Sequence, residues 1–584
     1  MNDLKRLFGY MGPYRRDMAL GMLLVVVESA FEMVIPILMS DIIDQGVTNG
    51  DVREIGWTGV EMAVCAVLAL ITGLLYARYA ARASYGFGAR IRQAEYAKVQ
   101  AYAFGNLDHF ETSSLITRMT TDVTVVQNAI NGGFRPMVRG PAMLVLGVAL
   151  SFYMSPSLAA VFFVCAPVLG VILFFIVRRI APLYARLQQA MDHLNTVVQE
   201  CLTAIRAVKA FVRGEYEEEK FQAVNTELMD VSMTTFRTAV LNLPAFQLTM
   251  YAAMVSILWF GGNMILQGSL TVGRLTSFLS YVLQVMNSLM MISNVFLLMT
   301  RSLASAHRIA AVLDEQVELA NPAHPVAEIP DGGVAFEHVS FKYHPDAAEY
   351  ALAGIDLVIQ PGETVGILGG TGSAKSTLVQ LIPRLYDATE GRVLVGGRDV
   401  REYDLTALRD AVGIVLQKNV LFSGTVRENL LWGNPGASDE ELWAACRAAC
   451  ADEFLQRMPG GLDADLGQGG VNVSGGQKQR LCIARTLLKK PRVLIFDDSV
   501  SAVDTATEAR IRKALAALTG VTKIIIAQRV TSVMNTDKIV VLEDGRIHAV
   551  GTHSQLLASD PIYQEIYHSQ MKGGGADGST ADHR

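Results

Sequence analysis

The segment Gly369-Gly370-Thr371-Gly372-Ser373-Ala374-Lys375-Ser376-Thr377 directly follows the apolar run Glu363-Thr364-Val365-Gly366-Ile367-Leu368. The run predicts a strand. A glycine-rich turn after a strand, closed by a lysine that opens a helix, is an anion cradle in which main-chain N–H groups and a helix N-terminus converge on phosphate. In such a cradle Lys375 would neutralise β- and γ-phosphate charge, and the Ser376 hydroxyl would ligate Mg²⁺. Glycine usually precedes the lysine, but here the residue is Ala374. If that position requires positive φ, alanine costs about 1 kcal/mol and slightly reshapes the cradle.

Downstream, Val493-Leu494-Ile495-Phe496-Asp497 reads as a buried strand ending in a carboxylate, the arrangement that holds Mg²⁺ opposite a phosphate loop. From residue 334, short β-branched runs alternate with amphipathic helical patterns, which predicts a parallel α/β domain over 334–571. A polar, proline-bearing linker is expected at 314–333. A Gly/Ser/Asp-rich tail is expected to be disordered over 572–584.

The first 313 residues read differently. With 584 residues, 51% hydrophobic and 18% charged, and a mean hydropathy of +0.30, the chain is too apolar for an ordinary soluble enzyme. The apolar residues gather in six windows at 18–39, 59–76, 134–154, 158–177, 244–266 and 275–299. Each is long enough to cross ~30 Å of hydrocarbon as a helix. Lys5, Arg6, Arg15 and Arg16 precede the first window, and Arg78, Arg82, Arg90, Arg92 and Lys98 follow the second. The first intervening loop instead carries Asp41, Asp44, Asp51 and Glu54, so both termini and the long loops are expected in the cytoplasm, with the chain in the cytoplasmic membrane. No short apolar core with a small-residue cleavage site opens the chain, so a removable signal peptide is not expected.

Two stretches of about 60 residues, between windows two and three and between four and five, keep helical periodicity beyond the bilayer. Turns are expected at Phe104-Gly105-Asn106-Leu107-Asp108 and at Phe211-Val212-Arg213-Gly214-Glu215, placed to contact the soluble domain. The six cysteines (Cys65, Cys165, Cys201, Cys446, Cys450 and Cys482) suggest no disulfide framework. Cys446 and Cys450 lie one helical turn apart without further ligands nearby, which reads as core packing. A net charge of −6 argues against a nucleic-acid partner.

Val473-Ser474-Gly475-Gly476-Gln477 resembles the signature sequence of ATP-binding cassette (ABC) transporters, with valine for the usual leucine. Gln417 resembles their Q-loop, Tyr343 their adenine-stacking aromatic, and Ser501-Ala502-Val503-Asp504 their D-loop. Ile205-Arg206-Ala207-Val208-Lys209-Ala210-Phe211 resembles their second coupling segment. The resemblance covers nearly the whole chain and implies a half-transporter of the exporter type. Its fold would be an α-helical membrane domain, with six transmembrane helices and long cytoplasmic extensions, followed by an α/β P-loop nucleotide-binding domain. ATP would be held by Tyr343, Gly369, Gly370, Thr371, Gly372, Ser373, Ala374, Lys375, Ser376, Thr377 and Gln417, and Mg²⁺ by Ser376, Gln417 and Asp497. In this family two nucleotide domains close head to tail. Ser474, Gly475, Gly476 and Gln477 would therefore act on ATP held by a second half-transporter, with Ser501 and Asp504 at the junction.

Two positions depart from the family pattern. The residue after the metal-binding aspartate is normally a glutamate that polarises the attacking water, and here it is Asp498. Its carboxylate stops about 1.3 Å short, and misplacement of that order can cost ~10²-fold in rate. The switch histidine is replaced by Gln528, an amide that donates a hydrogen bond without carrying positive charge. The pair, together with Glu428-Asn429-Leu430-Leu431-Trp432-Gly433, resembles the degenerate-site subunit of heterodimeric bacterial exporters. A homodimer with two slow sites, an importer on the exporter fold, and an ATP-sensing membrane regulator are the competing readings.

The cargo is only hinted at. Glu28 and Glu32 lie one turn apart inside the first window, where a carboxylate costs roughly 2.5–3.5 kcal/mol, so they should face a substrate cavity or a partner. Arg135 and Arg139 would meet those acids, meet anionic headgroups, or snorkel. Met286, Met290, Met291, Met299 and Phe296 in the last window suit a hydrophobic small molecule, lipid, or interhelical packing equally.

Overall fold

The computed structural model describes residues 2–498 and 504–573. Ser501, Ala502 and Val503 of the expected D-loop and the tail from 574 lie outside the described residues, as do the side chains of Cys165, Phe296 and Met299. The chain forms two compact units. One comprises the residues up to Gln100 together with Thr112–Asp314, and the other Ala101–Glu111 together with the chain from Glu315.

Among the described residues, the first unit carries six helices long and apolar enough to cross a membrane. Several run far beyond a bilayer's thickness: Val52–Gln100 has 49 residues and Pro156–Thr203 has 48, each about 70 Å long. The second of these starts sharply because Ser155 accepts a hydrogen bond from the Leu158 N–H and Pro156 occupies the first turn, where its missing N–H is not needed. Pro36 interrupts helix Arg15–Asp41. Beside that interruption, Tyr281 and Ser277 of helix Val272–Asp314 donate hydroxyl hydrogen bonds to the Met33 and Pro36 carbonyls, the Tyr281 bond being 2.7 Å long. Pro36 has no N–H to offer the Glu32 carbonyl, and these two bonds tie the adjoining turn of the helix to its neighbour. Met286 is fully buried in an apolar core that helix Val272–Asp314 shares with helices Pro156–Thr203 and Asn242–Leu266.

On the helix extensions beyond the apolar windows, Arg308 grips Asp122 with two hydrogen bonds of 2.7 and 2.5 Å, and Ser305 donates a third of 2.8 Å. The second loop turn belongs to this unit and leaves Phe211 and Val212 78% and 87% exposed. Val212 has a φ of 54°, a strained value for a β-branched residue.

The second unit is an α/β domain. Its described residues form a six-stranded sheet in the order β10-β9-β3-β8-β7-β6 and a four-stranded antiparallel sheet in the order β2-β1-β4-β5. The larger sheet comprises β3 (Thr364–Leu368), β6 (Val412–Val415), β7 (Val493–Asp497), β8 (Thr522–Ala527), β9 (Lys538–Glu543) and β10 (Arg546–Gly551). The smaller comprises β1 (Val334–Phe341), β2 (Leu352–Ile359), β4 (Glu390–Val395) and β5 (Arg398–Asp399). In the larger sheet β9, β3, β8, β7 and β6 pair in parallel and only β10 is antiparallel. The parallel strands are buried, which is why they read as unbroken apolar runs. One core, including Phe336, Ile355, Ile367 and Ile495, spans residues of both sheets. Cys446, Cys450 and Cys482 are free and buried in the other core, and burial pushes their thiols up.

The turn at Phe104–Asp108 folds as part of this second unit. Asn106 is fully buried there. Its amide donates to Glu315 Oε1 (3.1 Å) and the Gln316 carbonyl (2.6 Å), and its oxygen accepts from the Ala103 and Glu318 N–H groups, both at 3.1 Å.

Candidate functional site

Parallel strands collect the residues that follow their C-terminal ends at one edge of a sheet. Here the strand order places Asp544 after β9, Gly369–Ala374 after β3, Gln528 after β8, Asp498 after β7 and Gln417 after β6 along a single edge. Of these, Asp544, Thr371, Gly372, Ala374, Gln528, Asp498 and Gln417 line a cavity of about 660 Å³ together with Tyr343, Tyr350, Lys375, Ser376, Thr377 and Asp497, while Gly369, Gly370 and Ser373 stand behind its wall. Residues distant in sequence thus converge because β3, β8 and β7 are neighbours in the sheet.

The cradle has the backbone its sequence demands. Gly372 has a φ of 87°, and Ala374 caps helix Lys375–Gln380 in the left-handed conformation at φ 66°. The strain expected of alanine in that position is therefore present. A Cβ on Gly369 would fall 2.2 Å from the Leu542 carbonyl oxygen, so only glycine lets β3 turn so close to β9. The Lys375 ammonium donates to its own loop, at 3.0 Å to the Gly369 carbonyl, 2.6 Å to that of Gly370 and 3.2 Å to Ser373 Oγ. Burial pushes this ammonium down, while Asp498 and Asp497 oppose the shift.

Across the cavity Ser376 Oγ donates to Asp497 Oδ1 at 2.8 Å. Burial pushes the Asp497 carboxyl up, and the Ser376 hydrogen bond opposes it. Asp498 stands in the left-handed region at φ 46° and accepts a 2.8 Å hydrogen bond from Gln528 Nε2 on its Oδ2. Its carboxyl is likewise raised by burial, against the pull of Gln528 and Lys375. The two residues that depart from the family pattern thus hold each other.

Tyr343 is bonded through its hydroxyl to Thr377 Oγ1 at 2.8 Å, and its ring meets Phe341 and Tyr386 edge-on at 4.9 and 5.4 Å. Tyr386 in turn packs edge-on against Phe104 at 6.0 Å and donates its hydroxyl to Asp108 Oδ2 at 2.8 Å. An aromatic chain therefore runs from the loop tip to the cavity wall. Tyr386, Tyr350 and Asp544 are absent from the motif reading. Only the Asp544-Gly545 dipeptide carried a local signal, that of a turn.

Ser474, Gly475, Gly476 and Gln477 do not line this cavity. Ser474 caps helix Gly475–Leu488 in a reciprocal capping box with Gln477, and both Ser474 and Gly475 are exposed, so this helix N-terminus faces solvent. Asp504 caps helix Thr505–Ala516 through the Thr507 N–H at 3.0 Å.

In the membrane unit the acids of the first helix are paired. Arg135 Nη2 lies 2.5 Å and Arg139 Nη1 3.4 Å from Glu28 Oε1, and Arg139 Nη2 lies 2.5 Å from Glu32 Oε2. All four are thus ion-paired inside the bundle, and Glu32 and Arg139 also line a cavity there.

A transmembrane bundle joined to an α/β domain with a phosphate cradle at its sheet edge defines a membrane-embedded nucleotide-driven machine. Residues 18–289 match the model for the ABC transporter transmembrane region, and residues 352–501 match that for the ABC transporter. An uncharacterized ABC transporter ATP-binding protein of Bacillus subtilis, YfiB, is 37% identical over 99% of this chain and 100% of its own length. An ATP-dependent lipid A-core flippase of Desulfotalea psychrophila is 30% identical over 97% of this chain and 99% of that protein. The solved structure of a bacterial Atm1-family ABC exporter with ATP bound superposes with a TM-score of 0.80 at 25% identity, covering 98% of this chain and 100% of that one. The chain belongs to the ABC transporter family. It is a multi-pass exporter half that binds ATP and couples its hydrolysis to transport.

Proposed function

We propose that this chain is one subunit of a heterodimeric exporter of lipophilic or drug-like molecules, whose own ATP site turns over slowly and whose signature completes the partner's faster site. The observation that carries the reading is the 2.8 Å hydrogen bond from Gln528 to Asp498. A carboxylate shortened by one methylene and held by an amide is poorly placed to take a proton from water. The amide that holds it cannot supply charge to a γ-phosphate. ATP would be held by the cradle 369–377 with Tyr343 against the base. Ser376, Asp497 and Gln417 offer the hard oxygen donors that Mg²⁺ prefers.

The solvent-facing N-terminus of helix Gly475–Leu488 is positioned for a phosphate supplied by another chain. The exposed Phe211 and Val212 suit docking onto that chain. Basic residues around the first two spans favour cytoplasmic termini in the cytoplasmic membrane. Similarity to lipid A-core flippases favours an amphipathic cargo. The test is ATP turnover in proteoliposomes, by this chain alone and with a second half-transporter bearing glutamate and histidine at the matching positions. Turnover is expected only from the pair, and rapid hydrolysis by the single chain would refute the reading.

A further inference from the structure

The membrane unit carries a second, open pocket of about 530 Å³ between the helices that bear Glu32, Met62, Arg139 and Gln284. Its lining interleaves polar side chains, Glu32, Arg139, Ser280, Gln284, Asn287 and Ser288, with the methionines Met39, Met62, Met143 and Met291. Flexible, polarizable methionine side chains conform to acyl or alkyl chains of varied shape. The volume suits a small amphipath or one headgroup with its first carbons.

The charges are arranged unequally around this space. Glu28, only 5% exposed, takes up Arg135 away from the cavity, leaving Glu32 and Arg139 as the charged groups that line it, 28% and 19% exposed. The cavity therefore faces one negative and one positive group 2.5 Å apart. A simple anion could bind Arg139 only by leaving Glu32 desolvated without its counter-charge, and a simple cation could bind Glu32 only by leaving Arg139 with the longer 3.4 Å contact to Glu28, which Arg135 already shares. A molecule carrying both charges replaces each contact with its own. A further acceptor is already in place, because Gln284 Oε1 is buried without a hydrogen-bond partner. A buried acceptor left unbonded costs free energy that a ligand N–H would recover.

We propose that this cavity binds a zwitterionic amphipath with an N–H-bearing ammonium group. The ammonium would meet Glu32 and Gln284, the acidic group would meet Arg139, and the chain would lie along the methionines. This rests on the export reading and names its substrate class. The shared chemistry has two sources, a lipid headgroup or a soluble amphipath.

The experiment is competition binding to the assembled transporter in a neutral glycoside detergent. The probe is lysophosphatidylethanolamine labelled on its acyl chain, displaced by unlabelled competitors of equal chain length. Lysophosphatidylethanolamine and N-acyl-lysine are expected to displace it about tenfold better than lysophosphatidylglycerol, an alkylammonium or lysophosphatidylcholine, whose ammonium has no N–H. Displacement by the lysolipid but not by N-acyl-lysine supports the proposal with a lipid as source, and stronger displacement by N-acyl-lysine than by the unlabelled lysolipid supports it with a soluble source. The double variant Glu32→Gln/Arg139→Gln should erase the preference. Gln284→Leu, which touches no ion pair, should weaken the zwitterions severalfold and spare an alkyl maltoside. Equal displacement by every competitor, or a preference unchanged in both variants, would overturn the proposal. Because no turnover is needed, a transporter that binds zwitterions selectively yet moves nothing would sink the export reading and leave the site standing.

Discussion

The bond between the Gln528 amide and Asp498 limits what either single substitution can restore. Asp498→Glu lengthens the carboxylate toward the water position but leaves a neutral amide beside it, and Gln528→His supplies the charge but meets a carboxylate set too far back. Each change alone is expected to raise turnover at this site only slightly. Asp498→Glu/Gln528→His together should raise it by roughly 10²-fold. Single-turnover ATP hydrolysis in the assembled transporter reads this out, and full recovery from Asp498→Glu alone would contradict it. At this scale the sequence was highly legible. The cradle is contiguous, so its residues were placed by their order, and the left-handed Ala374 followed from its place before Lys375. Tyr386 was not legible, because its role comes from meeting Asp108, 278 positions away.

Among the elements, the grip of helix Val272–Asp314 on Asp122 is asymmetric. Asp122 is 2% exposed, whereas Arg308 is 47% exposed. Removing the carboxylate with Asp122→Asn leaves an arginine that can turn to water and should cost about 1 kcal/mol. Removing the guanidinium with Arg308→Met leaves a buried carboxylate with Ser305 as its remaining described partner and should cost about 3 kcal/mol. Thermal unfolding of the two variants should therefore rank them in that order, and equal losses would mean that Asp122 is better solvated than its burial indicates. The aromatic chain Phe104–Tyr386–Tyr343 supports a second expectation. Tyr386→Phe keeps the ring contacts and deletes only the hydroxyl bond to Asp108, worth about 1 kcal/mol. ATP affinity should hold while the flux per ATP hydrolysed falls, a ratio measured in proteoliposomes. The elements themselves were legible as periodic apolar windows. What hydrophobic periodicity conceals is helix rotation and register, so Arg135 and Arg139 stood as candidate partners of Glu28 and Glu32 beside headgroup contact and snorkelling, and only the packed bundle pairs them.

For the whole molecule, ABC membership makes the unit of function larger than this chain, and the proposed asymmetry can be read from two substitutions in it. Ser474→Arg blocks the solvent-facing helix end offered to a partner's nucleotide, and should lower steady-state turnover of the pair by more than about 10²-fold. If this chain's own site is the slow one, as proposed, Asp498→Asn should change turnover less than about threefold. Equal losses from the two substitutions would favour two equivalent sites. Steady-state phosphate release by the co-purified pair distinguishes the outcomes.

The seating of Asn106 among Glu315, Gln316 and Glu318 means that the soluble half is not a detachable module. A polypeptide begun at Glu315 would lack the plug that fills this socket, leaving the Glu318 N–H and the Tyr386 ring without their native cover. Such a fragment should be sticky and short-lived in solution, and a synthetic peptide spanning 101–111 should rescue it, as a missing piece of the same fold would.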